Sequence, residues 1–338
     1  MQSFSRRRTL QWLGATATVP LWPGAFAAEG PGGTLVLVEK EAPALSFYRL
    51  PGGEPLASLP MPEQPHEVVA SADGRWAFVA QYGVAKWAAP GEGGHQVVVV
   101  DLSAQRIARN LDLTPYGRLH GIRMDAAGRL YVLSEAASVL IRFDNPAQDQ
   151  YPSQIVPVGG TRSHYLVLSR DGRRAYVSDT LSGMVIMLDP HDPTFSPIKR
   201  LAGQAPEGAC LSPDETVFYV IDRYQGLLQA FDAGTLAPRA QQRLRGEAVR
   251  VVALPDGRLV VANQADKSLS LLRPDTLAEE RHLPLEAAAP GLNLAPGGHT
   301  LYASLESDKV AIIDIARWQI SGFFPTRHAP DAAAVLPA

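Results

Sequence analysis

The chain has 338 residues, 31 basic and 34 acidic side chains, a formal charge of −3 and a single cysteine. That balance offers no basic face for nucleic acid, and one cysteine excludes an intramolecular disulfide. Low charge, 29 glycines, 28 prolines and period-2 runs such as Gln96-Val97-Val98-Val99-Val100 point to an all-β chain.

At the N-terminus, Ser5-Arg6-Arg7-Arg8-Thr9-Leu10 precedes an uncharged stretch that ends in Ala25-Phe26-Ala27. This segment resembles a twin-arginine export signal, which implies a periplasmic mature protein over residues 28–338. Its apolar part is short and is broken by Pro20 and Pro23, so it cannot span a bilayer as a helix. Removing residues 1–27 takes away three arginines and no acid, leaving 28 basic and 34 acidic residues and a charge of −6. No transmembrane segment is expected in the mature chain, which reads as a monomer.

The next feature is a repeat. Around Tyr165–Asp179, two short apolar runs flank Ser169-Arg170-Asp171-Gly172, the signature of a hairpin. Equivalent turns end at Gly74, Gly128, Gly172, Glu215, Gly257 and Gly298, with separations of 54, 44, 43, 42 and 41 residues. A period near 42 fits a four-stranded propeller blade better than a leucine-rich or helical repeat. Six blades follow over 66–113, 120–158, 164–203, 207–246, 248–287 and 290–327, and the ends supply a seventh. Pro330–Leu336 has the form of an innermost strand with no hairpin after it, whereas 33–59 offers three strands with no innermost one before them. The expectation is a single seven-bladed β-propeller whose C-terminal strand joins the N-terminal blade and closes the ring.

The Asp-Gly turns followed by Tyr-Val runs, as in Asp171-Gly172-Arg173-Arg174-Ala175-Tyr176-Val177, resemble the YVTN or YncE-like propellers of bacterial envelopes. They are also similar to the propellers of lactonases and of cytochrome d1. The likeness covers the mature chain and implies the fold; its members differ in activity.

Seven residues before the Asp position of each turn stand His66, His120, His164, Glu207, Val249 and Pro290. These residues begin the innermost strands, and residues after the second strands return to the same face, so both sets meet at the channel mouth. Three imidazoles and one carboxylate on successive blades suit a first-row metal, so His66, His120, His164 and Glu207 are candidate ligands for Zn, Mn, Fe or Cu. Glu135 and Asp179 are expected to fix the histidine tautomers. Glu135, Asp179 or Glu207 would shuttle a proton. Tyr82, Arg118, Arg223, Arg250 and Asp331 are candidate ligand-binding groups on that face. The insertion 82–95, with Trp87 at its centre, reads either as a lid or as an idle surface loop. Cys210, between Ala209 and Leu211, reads as a buried inert thiol. No Gly-x-Ser-x-Gly nucleophile and no Cys-x-x-Cys-His haem attachment occurs. Two functional readings stay open: a metal-assisted hydrolase of lactonase type, or a non-catalytic envelope protein that binds a metal, a tetrapyrrole or a small anion at the same place.

Overall fold

The computed structural model describes residues 32–338 except Glu63 and Trp87. The export signal expected over 1–27 and the lid role of Trp87 therefore lie outside the described residues. These form seven four-stranded antiparallel sheets arranged as a propeller, with no α-helix among them. The innermost strands of the first five blades are Pro65–Ala70, Leu119–Met124, Ser163–Leu168, Pro206–Leu211 and Ala248–Ala253. Gly291–Leu294 is that of the sixth. In the seventh, Pro330–Pro337 pairs with Gly33–Glu39, in a register from Gly33 opposite Pro337 to Glu39 opposite Pro330. The last strand thus closes the ring as expected.

The hairpin turns explain the repeat. Ser169 Oγ donates to Asp171 Oδ1 at 2.7 Å and accepts the Arg174 N–H at 2.9 Å, while Asp171 accepts the Arg173 N–H. Side chains therefore satisfy turn backbone that would otherwise be solvated. Glycine follows because that position needs a positive φ, +73° at Gly172. Glu215 takes φ 58° at the equivalent place, and its carboxylate accepts the N–H of Arg170 from the neighbouring blade's turn at 2.8 Å.

The core consists of layers between blades. Val97 and Val99 pack toward the second blade, against Ile122 and Val132. Val98 and Val100 pack on the opposite face, against Val36 and Val38 of the seventh. A strand buried on both faces reads as a continuous apolar run, so Val97–Val100 is apolar throughout and does not alternate with the period of two expected from the sequence. The second and third strands of the first blade end and begin at Gln81 and Gln96, so the long first repeat is an insertion on the mouth face.

Candidate functional site at the channel mouth

A β-bulge builds the site. In the first five blades the pairing of the two inner strands slips between Pro65 and Glu67, Leu119 and Ile122, Ser163 and Tyr165, Pro206 and Ala209, and Ala248 and Arg250. Each slip brackets one ring position: His66, His120, His164, Glu207 or Val249. In the seventh blade the slip falls between Leu37 and Glu39, opposite Asp331. A bulge leaves its extra residue unpaired and re-aims its side chain. Here it turns that residue toward the axis.

The three histidines meet. The rings of His66 and His120 cross edge to face at 4.3 Å between centroids, and those of His120 and His164 lie 3.8 Å apart at 38°. Tyr82 covers the cluster, 5.2 Å from His120 and 5.4 Å from His66. His120 is wholly buried, and neither of its ring nitrogens has a hydrogen-bond partner among the described residues. Each outer histidine sets Nδ1 against a carboxylate. His164 Nδ1 is 2.7 Å from Glu135 Oε2, which also accepts from the Tyr82 hydroxyl at 2.8 Å. His66 Nδ1 lies 2.6 Å from Asp331 Oδ2, ion-pair distance but off the direction of a hydrogen bond, and Lys40 Nζ is 3.5 Å from the same oxygen.

Burial, then the charge of Lys40, lowers the pKa of His66 against the pull of Asp331. Burial and the two neighbouring imidazoles hold His120 well below the ordinary histidine value. Both are neutral at pH 7, the form that ligates metals. Burial opposes the charge on Glu135, but His164, Tyr82 and Arg118 outweigh it and lower its pKa. Burial likewise opposes ionisation of Asp331, yet His66, Lys40 and Arg250 hold its carboxyl far below the usual range. Both carboxylates are thus charged acceptors. Among the described residues, no group of three or more His, Cys, Asp or Glu side chains is gathered around one point as metal ligands.

Above the cluster is a cavity of about 430 Å³. His66, His164, Glu207 and Asp331 line it together with Tyr82, and Arg223 and Arg250 reach it from neighbouring blades. Glu207 is held by Arg223 at 3.0 Å and faces Arg250 at 3.6 Å. Lys86 reaches the cavity from the insertion.

Glu135 meets a histidine, that of the next blade, His164. Two expected placements differ. Asp179 does not approach the histidines: its oxygens accept the N–H groups of Arg162 and Ser182 and the hydroxyls of Ser163 and Ser182. It is a loop-closing carboxylate, and Asp222 repeats the role by accepting from Gln204 and Gln225. Arg118 is buried beneath the mouth, donating to Glu135 at 3.2 Å and to the carbonyls of Ala89 and Gly91, so it fastens the insertion instead of facing a ligand. Lys40, Gln264 and Glu306 also line the cavity. Lys40 and Glu306 were missed by the sequence argument, although each stands one residue beyond or at the end of a second strand, where Tyr82 and Arg223 were found.

No family model matches the chain, and no curated protein matches it. Solved structures do resemble it. A functionally unknown protein from Desulfotomaculum acetoxidans superposes with a TM-score of 0.75 at 10% identity, covering 90% of this chain and 99% of that one. A candidate 6-phosphogluconolactonase from Bacteroides uniformis gives 0.73 at 15% identity, covering 91% and 100%. A chain of the mitotic checkpoint complex gives 0.71 at 12%, covering 92% and 99%. At such identities the likeness is one of fold, and it identifies this chain as a seven-bladed β-propeller with distant structural neighbours of differing roles.

Proposed function

We propose that the channel mouth of this exported, periplasmic propeller is a metal-assisted hydrolytic site for a small ester or lactone. One observation carries the reading. His120 is buried with both ring nitrogens unpartnered, between two imidazoles whose Nδ1 atoms are set against carboxylates. Orphaned buried polar groups are costly, and carboxylate-backed histidines present Nε2 to a ligand.

The donors suit Zn, Mn, Fe or Cu in type, since they are imidazoles with a carboxylate nearby. His66, His120 and His164 would hold the ion after side-chain rotation brings their nitrogens to one point. A bound ion of this kind polarises a carbonyl or activates water. Glu207 is the one of the three candidate proton carriers that lines the cavity, so it takes the role of base, held in place by Arg223. Arg250 would orient the substrate, and Asp331 sets a negative charge beside His66. The candidate lactonase among the structural neighbours is compatible with this chemistry.

A second reading, a non-catalytic holder of an anion, is favoured by Lys40, Arg223 and Arg250 around the same cavity. Elemental analysis, metal titration and a panel of lactones separate the two. The first reading expects one equivalent of metal, lost in His66→Ala, His120→Ala and His164→Ala, and hydrolysis abolished in Glu207→Gln with metal retained. Absence of metal binding, with lactone turnover either nil or indifferent to the histidines, would overturn it.

A further inference from the structure

Below the histidine ring lies a second cavity of about 270 Å³. Its polar lining comes from Arg123, Arg250, Tyr165, Glu67 and Asn293; aliphatic side chains such as Val68 and Leu292 make much of the rest. Arg250 lines both this cavity and the one above, so it is the partition between them.

Two guanidiniums and one carboxylate are in its lining. Glu67 is committed to Arg123 at 2.6 Å. Arg250 stands 3.6 Å from Glu207, beyond hydrogen-bond reach, and donates to the Val249 carbonyl at 3.3 Å, whereas Arg223 is held by Glu207 at 3.0 Å and by Glu247 at 2.6 Å. Arg123 and Arg250 both lie against the Tyr165 ring, each with its central carbon 5.1 Å from the ring centroid. Asn293 accepts the Ala333 N–H through its oxygen and turns its amide nitrogen to the Tyr302 carbonyl at a long 3.4 Å. Arg250 thus reaches this cavity without a hydrogen bond to a carboxylate, and guanidinium forks pair with oxyanions in two-pronged fashion.

We propose that this lower cavity is a binding site for one small oxyanion, a phosphate or a short carboxylate, taken between Arg123 and Arg250. The site shares Arg250 with the hydrolytic reading but none of the three histidines. Its volume admits a few heavy atoms, and the Arg250 side chain controls passage from the mouth.

The test is calorimetric titration of the whole mature protein at low salt, with inorganic phosphate in one arm and succinate in the other. The site predicts one saturable equivalent for at least one of them, and the arm that saturates names the source. Arg123→Gln and Arg250→Gln should each weaken binding by about tenfold or more, as expected for losing a charge-assisted pair. Glu67→Gln should move the other way, tightening it by about tenfold, because a competing buried carboxylate is gone. His120→Ala should leave the affinity unchanged, which separates this site from the metal. Should Arg123→Gln fail to fold with Glu67 unpaired, the Glu67→Gln/Arg123→Gln pair leaves the net charge of the lining unchanged and is expected to bind at least tenfold more weakly than Glu67→Gln alone, because one arm of the clamp is gone. No saturable heat with either anion, equal affinity in the arginine variants, or weaker binding in Glu67→Gln would overturn the proposal.

Discussion

The orphaned imidazole allows a test in which stability and function pull in opposite directions. His120→Leu exchanges a wholly buried ring for an apolar side chain of similar bulk. Each unpaired buried nitrogen costs about 1–3 kcal/mol. Losing the two ring contacts, with His66 at 4.3 Å and His164 at 3.8 Å, returns about 1–3 kcal/mol of that in all. The metal-stripped variant should therefore be more stable than the parent by about 1–3 kcal/mol, a rise in melting temperature of ~2–5 °C for a chain of this length. Adding metal should reverse the order. At a hundredfold excess over the dissociation constant the parent gains about 2.7 kcal/mol, whereas the variant gains little. Denaturant unfolding followed by tryptophan fluorescence, in chelator and then in Zn²⁺ or Mn²⁺, reads both numbers. A variant less stable than the parent in chelator would mean that the His120 nitrogens are satisfied. A variant with the full metal-induced shift would remove His120 from the ligand set.

Other consequences are separable. Deleting residues 329–338 removes the strand that covers Gly33–Glu39 and leaves an open inner edge. Size-exclusion chromatography should show aggregates, and a monodisperse protein with unchanged melting would contradict closure. Cys210, expected as a buried thiol, is half-buried, and desolvation pushes it up to about 12, so its thiolate fraction at pH 8 is about one in ten thousand. A disulfide reagent should label the native protein far more slowly than the unfolded one, and equal rates would contradict that shift. Asp179→Asn loses charge-assisted acceptors for four donors and should cost about 1–3 kcal/mol while metal content stays the same. Altered metal content in that variant would restore Asp179 to the site. Arg118→Met should speed proteolytic cutting within 84–94 by freeing the carbonyls of Ala89 and Gly91, and an unchanged cutting rate would mean that other contacts hold the insertion.

What could be read from the chain follows from where its length is fixed. From each ring residue to its turn the count is seven, because every such strand carries its extra residue at the same place, so His66, His120 and His164 align by counting alone. The turns are not so regular. Leu130–Ser134 begins two residues after Gly128, whereas Ala175–Asp179, of the same length, begins three after Gly172. Counting from the turn therefore slips by one, and it set Asp179 level with Glu135. The pairing shows otherwise: Asp179 opposes Ser163 as Ser134 opposes Leu119, so Thr180 is the true counterpart of Glu135. The lower cavity was hidden for a related reason. A regular strand sends successive side chains to opposite faces, so His66 at the mouth would turn Glu67 away from the channel. The bulge breaks that alternation, and His66 lines the upper cavity while Glu67 lines the lower. His164 and Tyr165 divide in the same way. A single inserted residue per blade thus gives the channel two tiers of inward side chains, the upper of imidazoles and the lower of guanidiniums, and a count of residues detects only the first.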